Sequence, residues 1–90
     1  MPTISEWDKD IGVAWFIPRE VIIRKTVTGR SYYVIKTIDK NSVMTDIRCW
    51  GVNPERDKLY VNRPYMVKLN YDEQWGFSTR GGLSNWKLVG

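Results

Sequence analysis

Aromatic and basic side chains recur at alternate positions between residues 31 and 50. Tyr32 and Lys36 lie in the run SYYVIKTI, and Arg48 and Trp50 lie in the run VMTDIRCW. Because alternate residues of a strand project from the same face, these four side chains are predicted to share one face. Aromatic rings stack on flat ligands and cationic groups bind phosphate, so the pattern indicates a face that binds single-stranded nucleic acid. An ordinary solvated sheet face is the alternative interpretation.

Further candidates for the same chemistry lie outside this segment. Stacking platforms are expected at Trp75 and Phe77, and phosphate contacts at basic residues in neighbouring strands and loops. The full predicted nucleic-acid-binding set is Arg24, Arg30, Tyr32, Lys36, Arg48, Trp50, Lys68, Trp75, Phe77 and Arg80. Tyr33, Tyr65 and Tyr71 are expected in the core or at the barrel rim, with Tyr65 and Tyr71 pointing inward from their strand, and Trp86 is expected in the core.

Other kinds of chemistry find little support in the composition. The chain has no His and a single Cys, Cys49, which argues against a Cys/His zinc site and a His-based triad. Its carboxylates are scattered, and no glycine-rich loop has the strand–loop–helix context of a phosphate site. We therefore expect no catalytic residue, metal or cofactor, and no small-molecule substrate.

Charge and hydropathy bear on partners and location. Fourteen basic and ten acidic residues give a net charge of +4, a surplus that permits nucleic-acid binding. No apolar run is long enough to cross a bilayer and no signal-peptide pattern is present, so no membrane partner is expected. A lone thiol fits a reducing compartment, which predicts a cytoplasmic protein.

Positioning the candidate residues requires several short strands. Alternation and turn residues predict strands at 19–28, 31–38, 43–50, 65–71 and 75–79, with a final segment at 83–89. Residues 39–42 form a polar turn, so 31–50 is predicted to be a hairpin. Residues 1–18 are interpreted as an N-terminal arm or cap, and 19–90 as the barrel. A shift of the strand register by one residue would exchange the two faces.

The strand pattern predicts an all-β chain forming a small closed barrel, since closure removes exposed sheet edges. The expected fold is a five-stranded Greek-key barrel of the oligonucleotide/oligosaccharide-binding (OB) type, with an SH3-like barrel as the alternative.

Residues 26–51 carry a resemblance to a known family. A glycine turn at Gly29, the aromatic strand YYVI at 32–35, the polar turn at 39–42 and the apolar strand at 43–50 resemble the OB module of bacterial and phage DNA polymerase III alpha subunits. The looser similarity extends over residues 19–71, whereas residues 75–82 are richer in glycine and aromatics than that pattern. The resemblance implies that the outer face of the second and third strands is the contact surface, at Tyr32, Val34, Lys36, Arg48 and Trp50.

These observations predict a non-enzymatic module that binds single-stranded DNA without strong sequence preference. The resemblance adds a role as part of, or accessory to, a replication enzyme, with a replication protein or parent polymerase as partner. The alternative function is a protein–protein interaction module that uses the same barrel face.

Overall fold

A computed structural model describes residues 3–89, and in this range the chain consists of short strands, loops and one 3-10 turn at Ile4–Glu6. The strands are β1 (Val13–Lys25), β2 (Ser31–Ile38), β3 (Met44–Trp50), β4 (Tyr65–Lys68), β5 (Asn70–Asp72), β6 (Gly76–Thr79) and β7 (Lys87–Leu88). Within the same range, no helix has the length and apolarity that a membrane span requires. The predicted all-β class is confirmed.

The strands form one curled, mixed sheet in the order β5-β6-β3-β2-β1-β4-β7. The neighbours are antiparallel except for β3 and β6, which are parallel. β4 and β5 lie near opposite ends of this order but are separated in the chain only by Leu69. A single run of chain therefore contributes to both ends of the curled sheet, as in a small β-barrel.

The first strand begins earlier and ends earlier than predicted. It starts at Val13, within the segment interpreted as an arm, because Ala14 and Phe16 alternate as fully buried residues. Pro18 does not stop the strand because it lies beside a register irregularity, where an N–H group is not needed for the ladder. The first half of β1 pairs with β4 and the second half with β2.

The turn after β1 ends the strand at Lys25. The Gly29 N–H group donates to the Thr26 carbonyl over 2.9 Å, and Gly29 has φ of +86°, which favours glycine. The chain therefore reverses over residues 26–30, whereas the sequence pattern predicts that the strand continues to residue 28. Arg30 is exposed at the end of this turn.

The predicted hairpin at 31–50 is confirmed in both its turn and its register. Asp39 and Ser42 close the turn by backbone hydrogen bonds, and Tyr33 lies opposite Cys49 and Ile35 opposite Ile47. These four paired residues are buried. The other face of the hairpin therefore points away from the core.

The core fills the interior of the curled sheet. Its fully buried side chains include Phe16, Ile35, Ile47 and Val67, and the ring of Trp86 packs edge-to-face on Phe16 at 5.3 Å between centroids. The burial predicted for Trp86 is therefore confirmed.

The inward orientation predicted for Tyr71 is wrong, since its side chain is 55% exposed. The run 65–71 does not stay one regular strand. It is interrupted at Leu69, and Tyr71 then pairs only with β6. The Tyr71 ring lies at the barrel rim against Trp7 and Phe77.

Candidate nucleic-acid interface

The outer face of β2 and β3 carries the residues singled out by their alternation. Tyr32 lies opposite Trp50, and Lys36 lies opposite Asp46. The Tyr32 and Trp50 rings stack at 4.4 Å between centroids with 26° between their planes. Because the two strands hold both rings, this pair is a preformed aromatic surface.

The parallel pairing of β3 with β6 brings a third aromatic residue to this face. Trp75 lies in the turn between β5 and β6, and its side chain is 60% exposed. The Arg48 guanidinium carbon lies 5.0 Å from the centroid of the Trp75 ring, within the range of a cation–π contact. Arg48 thus connects the hairpin face to the turn.

Local hydrogen bonds fix the Trp75 turn. Asp72 Oδ1 accepts from the backbone N–H groups of Gln74 at 2.8 Å and Trp75 at 3.0 Å. Gly76 follows with φ of +79°, a conformation that costs a residue with a side chain about 1–2 kcal/mol. The turn is therefore built to hold Trp75 in place without burying its ring.

These residues surround a continuous depression, which we call the groove. Its central cavity has a volume of about 400 Å³ and is lined by Thr26, Tyr32, Arg48, Trp50, Asp72, Trp75, Ser78 and Arg80. Two adjoining cavities share some of these walls and add Arg30, Gly51 and Gly81 on one side and Ile22, Arg24, Val34, Lys36 and Asp46 on the other. The groove thus combines side chains from β1, β2, β3 and the β5–β6 hairpin.

The groove holds most of the excess positive charge. Five basic side chains and two acidic side chains line it, namely Arg24, Arg30, Lys36, Arg48, Arg80, Asp46 and Asp72. Lys36 Nζ lies 3.6 Å from Asp46 Oδ2, so this pair is largely neutral toward an anionic ligand. Among the described residues, the four arginines form no ion pair within the groove.

Two members of the predicted set lie outside the groove. Phe77 pairs in register with the buried Ile47, so its ring turns toward the core side, where it packs edge-to-face on Trp7 at 5.2 Å. Lys68 lies on β4, which pairs with the first half of β1 rather than with the hairpin. The other eight predicted residues line the groove.

The groove also contains residues that the alternation argument missed. Ser78 pairs with Arg48 across the parallel ladder, Thr26 contributes from the turn after β1, and Asp72 contributes from the end of β5. The pairing of β6 with β3 determines which side chains of β6 face outward. Parallel pairing between strands that are distant in the chain leaves no local signal in the sequence. In contrast, the sequence Asp72-Glu73-Gln74 is typical of a polar turn, in which an Asp side chain accepts hydrogen bonds from the backbone N–H groups that follow it.

The single thiol is not part of the groove. Cys49 is fully buried, and burial raises the pKa of its thiol above the ordinary value. Within residues 3–89, no three His, Cys, Asp or Glu side chains come together as metal ligands.

Comparison with known proteins does not assign the chain to a family. No protein-family model, curated protein or solved structure matches it. Function is therefore inferred from the chemistry of the groove.

Proposed function

We propose that the chain is a cytoplasmic, non-enzymatic module that binds single-stranded DNA in the groove, without strong sequence preference. It would serve as part of, or accessory to, a replication enzyme, as the resemblance of residues 26–51 implies. The observation that carries the proposal is the meeting, in one groove, of two aromatic surfaces and four arginines that form no ion pair with any described residue.

The chemistry of the groove suits unpaired bases. The Tyr32–Trp50 pair and the exposed Trp75 ring are flat surfaces, and stacking of a base on such a ring is worth about 1–3 kcal/mol. Every base has such a face, so stacking tolerates any sequence. Bases in a duplex are already stacked on each other, which favours single strands as the ligand.

The arginines are placed where a backbone would pass. Arg24 lies at one end of the groove, and Arg30 and Arg80 lie together at the other. Phosphates of a strand crossing the groove would meet cations at both ends, with the aromatic rings between them. Charge-assisted contacts of this kind dominate binding to nucleic acid.

The order in which the strands are connected also supports binding of an oligonucleotide in the groove. When β4 and β5 are counted as one interrupted strand, the barrel has a three-strand meander followed by a hairpin whose last strand lies beside β3. OB-type barrels bind oligonucleotides on the face of strands two and three, flanked by the first and last hairpin loops. Arg30 and Trp75 lie in or beside those two loops.

Binding is tested by fluorescence anisotropy of a labelled oligothymidylate. We expect micromolar affinity at low salt, on the order of −8 kcal/mol. Trp50→Ala is expected to weaken binding by roughly 1–3 kcal/mol through lost stacking. Arg48→Ala is also expected to weaken it, since both a cation and the contact to Trp75 are lost.

Arg63→Ala is the matched control, because Arg63 is exposed and lies outside the groove. It should change affinity little, and thermal unfolding should show that the groove variants remain folded. Absence of binding even at low salt would contradict the proposal and favour a protein-docking role for the same face.

A further inference from the structure

Asp72 is an unexplained acidic group in a groove rich in arginine. Its Oδ1 atom accepts the two backbone hydrogen bonds of the Trp75 turn. In the described part of the chain, no group donates a hydrogen bond to Oδ2, and no cationic nitrogen lies within 4.0 Å of this carboxylate. The carboxylate is therefore fixed in position with one oxygen free to accept from a ligand.

This free oxygen opposes general phosphate binding. A negative charge in the central cavity repels a phosphate that Arg48 or Arg80 would attract. Asp46, the other carboxylate of the groove, is offset by Lys36 at 3.6 Å. Asp72 has no such cationic partner within residues 3–89, so its place in the cavity points to a ligand with hydrogen-bond donors.

The same cavity provides the other groups that one base needs. Trp50 and Trp75 line it as aromatic walls, Arg48 and Arg80 supply donors, and Asp72 supplies the acceptor. Its volume of about 400 Å³ is in the range of small-ligand sites. The cavity therefore presents donors and an acceptor beside stacking surfaces.

Guanine matches this set better than the other bases. Its Watson–Crick edge has two adjacent donors, N1–H and N2–H, which suit a carboxylate, and its O6 and N7 atoms are acceptors that suit arginine. Thymine has one donor between two carbonyls, and adenine and cytosine each place a ring acceptor beside the amine. A carboxylate therefore meets a repelling acceptor in each of those three.

We propose that the central cavity is a guanine-selective subsite, with Asp72 as the residue that determines specificity. The inference rests on the proposed function. Binding would be selective for guanine at the one position that enters the central cavity and tolerant of any base at the other positions of the strand. One base in the cavity would be chosen by hydrogen bonding, and its neighbours would be held by stacking and phosphate contacts.

The test compares a short labelled oligothymidylate with the same oligonucleotide carrying one central dG. We expect the dG oligonucleotide to bind at least about fivefold more tightly, the lower limit for one well-formed bidentate pair. Replacing dG by deoxyinosine, which lacks the N2 amine, should remove part of this preference. Replacing it by dA should remove all of it.

The decisive variant is Asp72→Asn. The amide keeps an Oδ1 acceptor for the Gln74 and Trp75 N–H groups, so the turn should be retained, as thermal unfolding would show. In this variant the ratio of the affinities for the dG oligonucleotide and for oligothymidylate should fall to about one. Oligothymidylate should bind the variant at least as tightly as it binds the unsubstituted protein, because a negative charge is removed. Asp46→Asn, which removes the charge paired with Lys36, is the matched control and should leave the dG preference unchanged.

The outcomes separate the two proposals. If neither oligonucleotide binds, the proposed function fails and the subsite fails with it. Equal binding of both oligonucleotides overturns the subsite alone. A preference for dG that survives Asp72→Asn overturns the role of Asp72.

Discussion

Cys49 shows how a single polar atom is accommodated in the core of this barrel. Its Sγ donates to the Gly82 carbonyl at 3.3 Å and accepts from Thr79 Oγ1 at 3.2 Å. Thr79 Oγ1 in turn accepts from Trp86 Nε1 at 3.3 Å. This chain of hydrogen bonds joins β3 to the segment after β6, directly beneath the outer face that carries Arg48 and Trp50.

The buried thiol should make stability depend on pH above neutrality. Burial raises the Cys49 pKa in the folded state above the ordinary value of 9.0. In the folded state the Cys49 thiol therefore keeps its proton at a pH where the same thiol of the unfolded state loses it. The contribution of the thiol to the free energy of unfolding is fully present below pH 9.0. We expect the free energy of unfolding, measured in urea, to fall as pH rises through this value.

Cys49→Ala is the control, since it removes the thiol but leaves Tyr33, whose pKa is also raised by burial. The difference between the two pH profiles isolates Cys49. Parallel profiles up to pH 10 would show that the thiol does not contribute.

Two connecting segments, the loop after β3 and the turn after β6, contact each other at the end of the groove. The Gly82 N–H group donates to the Trp50 carbonyl at 2.9 Å, and Gly82 faces Asp57 in the loop after β3. Asp57 Oδ2 accepts from the Asn53 N–H group at 2.8 Å. The loop after β3 and the turn after β6 therefore hold each other, and this contact positions Arg80 and Trp50.

Gly82→Ala should be strongly destabilising. Gly82 has φ of +65°, and an added Cβ atom would lie 2.8 Å from Asp57 Oδ2 and 3.0 Å from the Gly51 carbonyl oxygen. Backbone strain and overlap together should cost about 2–5 kcal/mol of unfolding free energy, measured by chemical denaturation.

Gly29→Ala is the matched substitution at a positive φ of +86°, and the new Cβ atom would have no atom of the described residues within 4 Å. It should cost only the backbone term, about 1–2 kcal/mol. Equal losses for the two variants would show that the contact between the loops is not tight.

The two strand pairings that build the groove differ in how far the sequence predicts them. Alternation and a polar turn were sufficient for the β2–β3 hairpin, and its register placed Tyr32 beside Trp50. The β3–β6 pairing joins residues that are about thirty positions apart, and no local pattern specifies it. The inward position of Phe77 and the participation of Ser78 both follow from that pairing, so neither could be read from the sequence.

At the scale of the whole molecule, the distribution of charge matters more than its sum. The net charge is only +4, yet five basic and two acidic side chains line the groove. Lys36 is offset by Asp46, which leaves Arg24, Arg30, Arg48 and Arg80 as unpaired cations among the described residues. A modest total charge is thus compatible with a localised site for an anionic strand.

This distribution predicts the salt dependence of binding. Each phosphate contact to a single strand contributes about 0.7 to the slope of log K against log salt, so the four arginines set a limit of about −2.8 on this slope. Arg24→Gln should reduce its magnitude by about 0.7, because one contact is lost. Lys36→Gln should change it less, since Asp46 already neutralises Lys36 at 3.6 Å. Affinities of oligothymidylate measured over a range of salt concentrations give these slopes. An equal reduction by Arg63→Gln, outside the groove, would show that binding is spread over the whole basic surface.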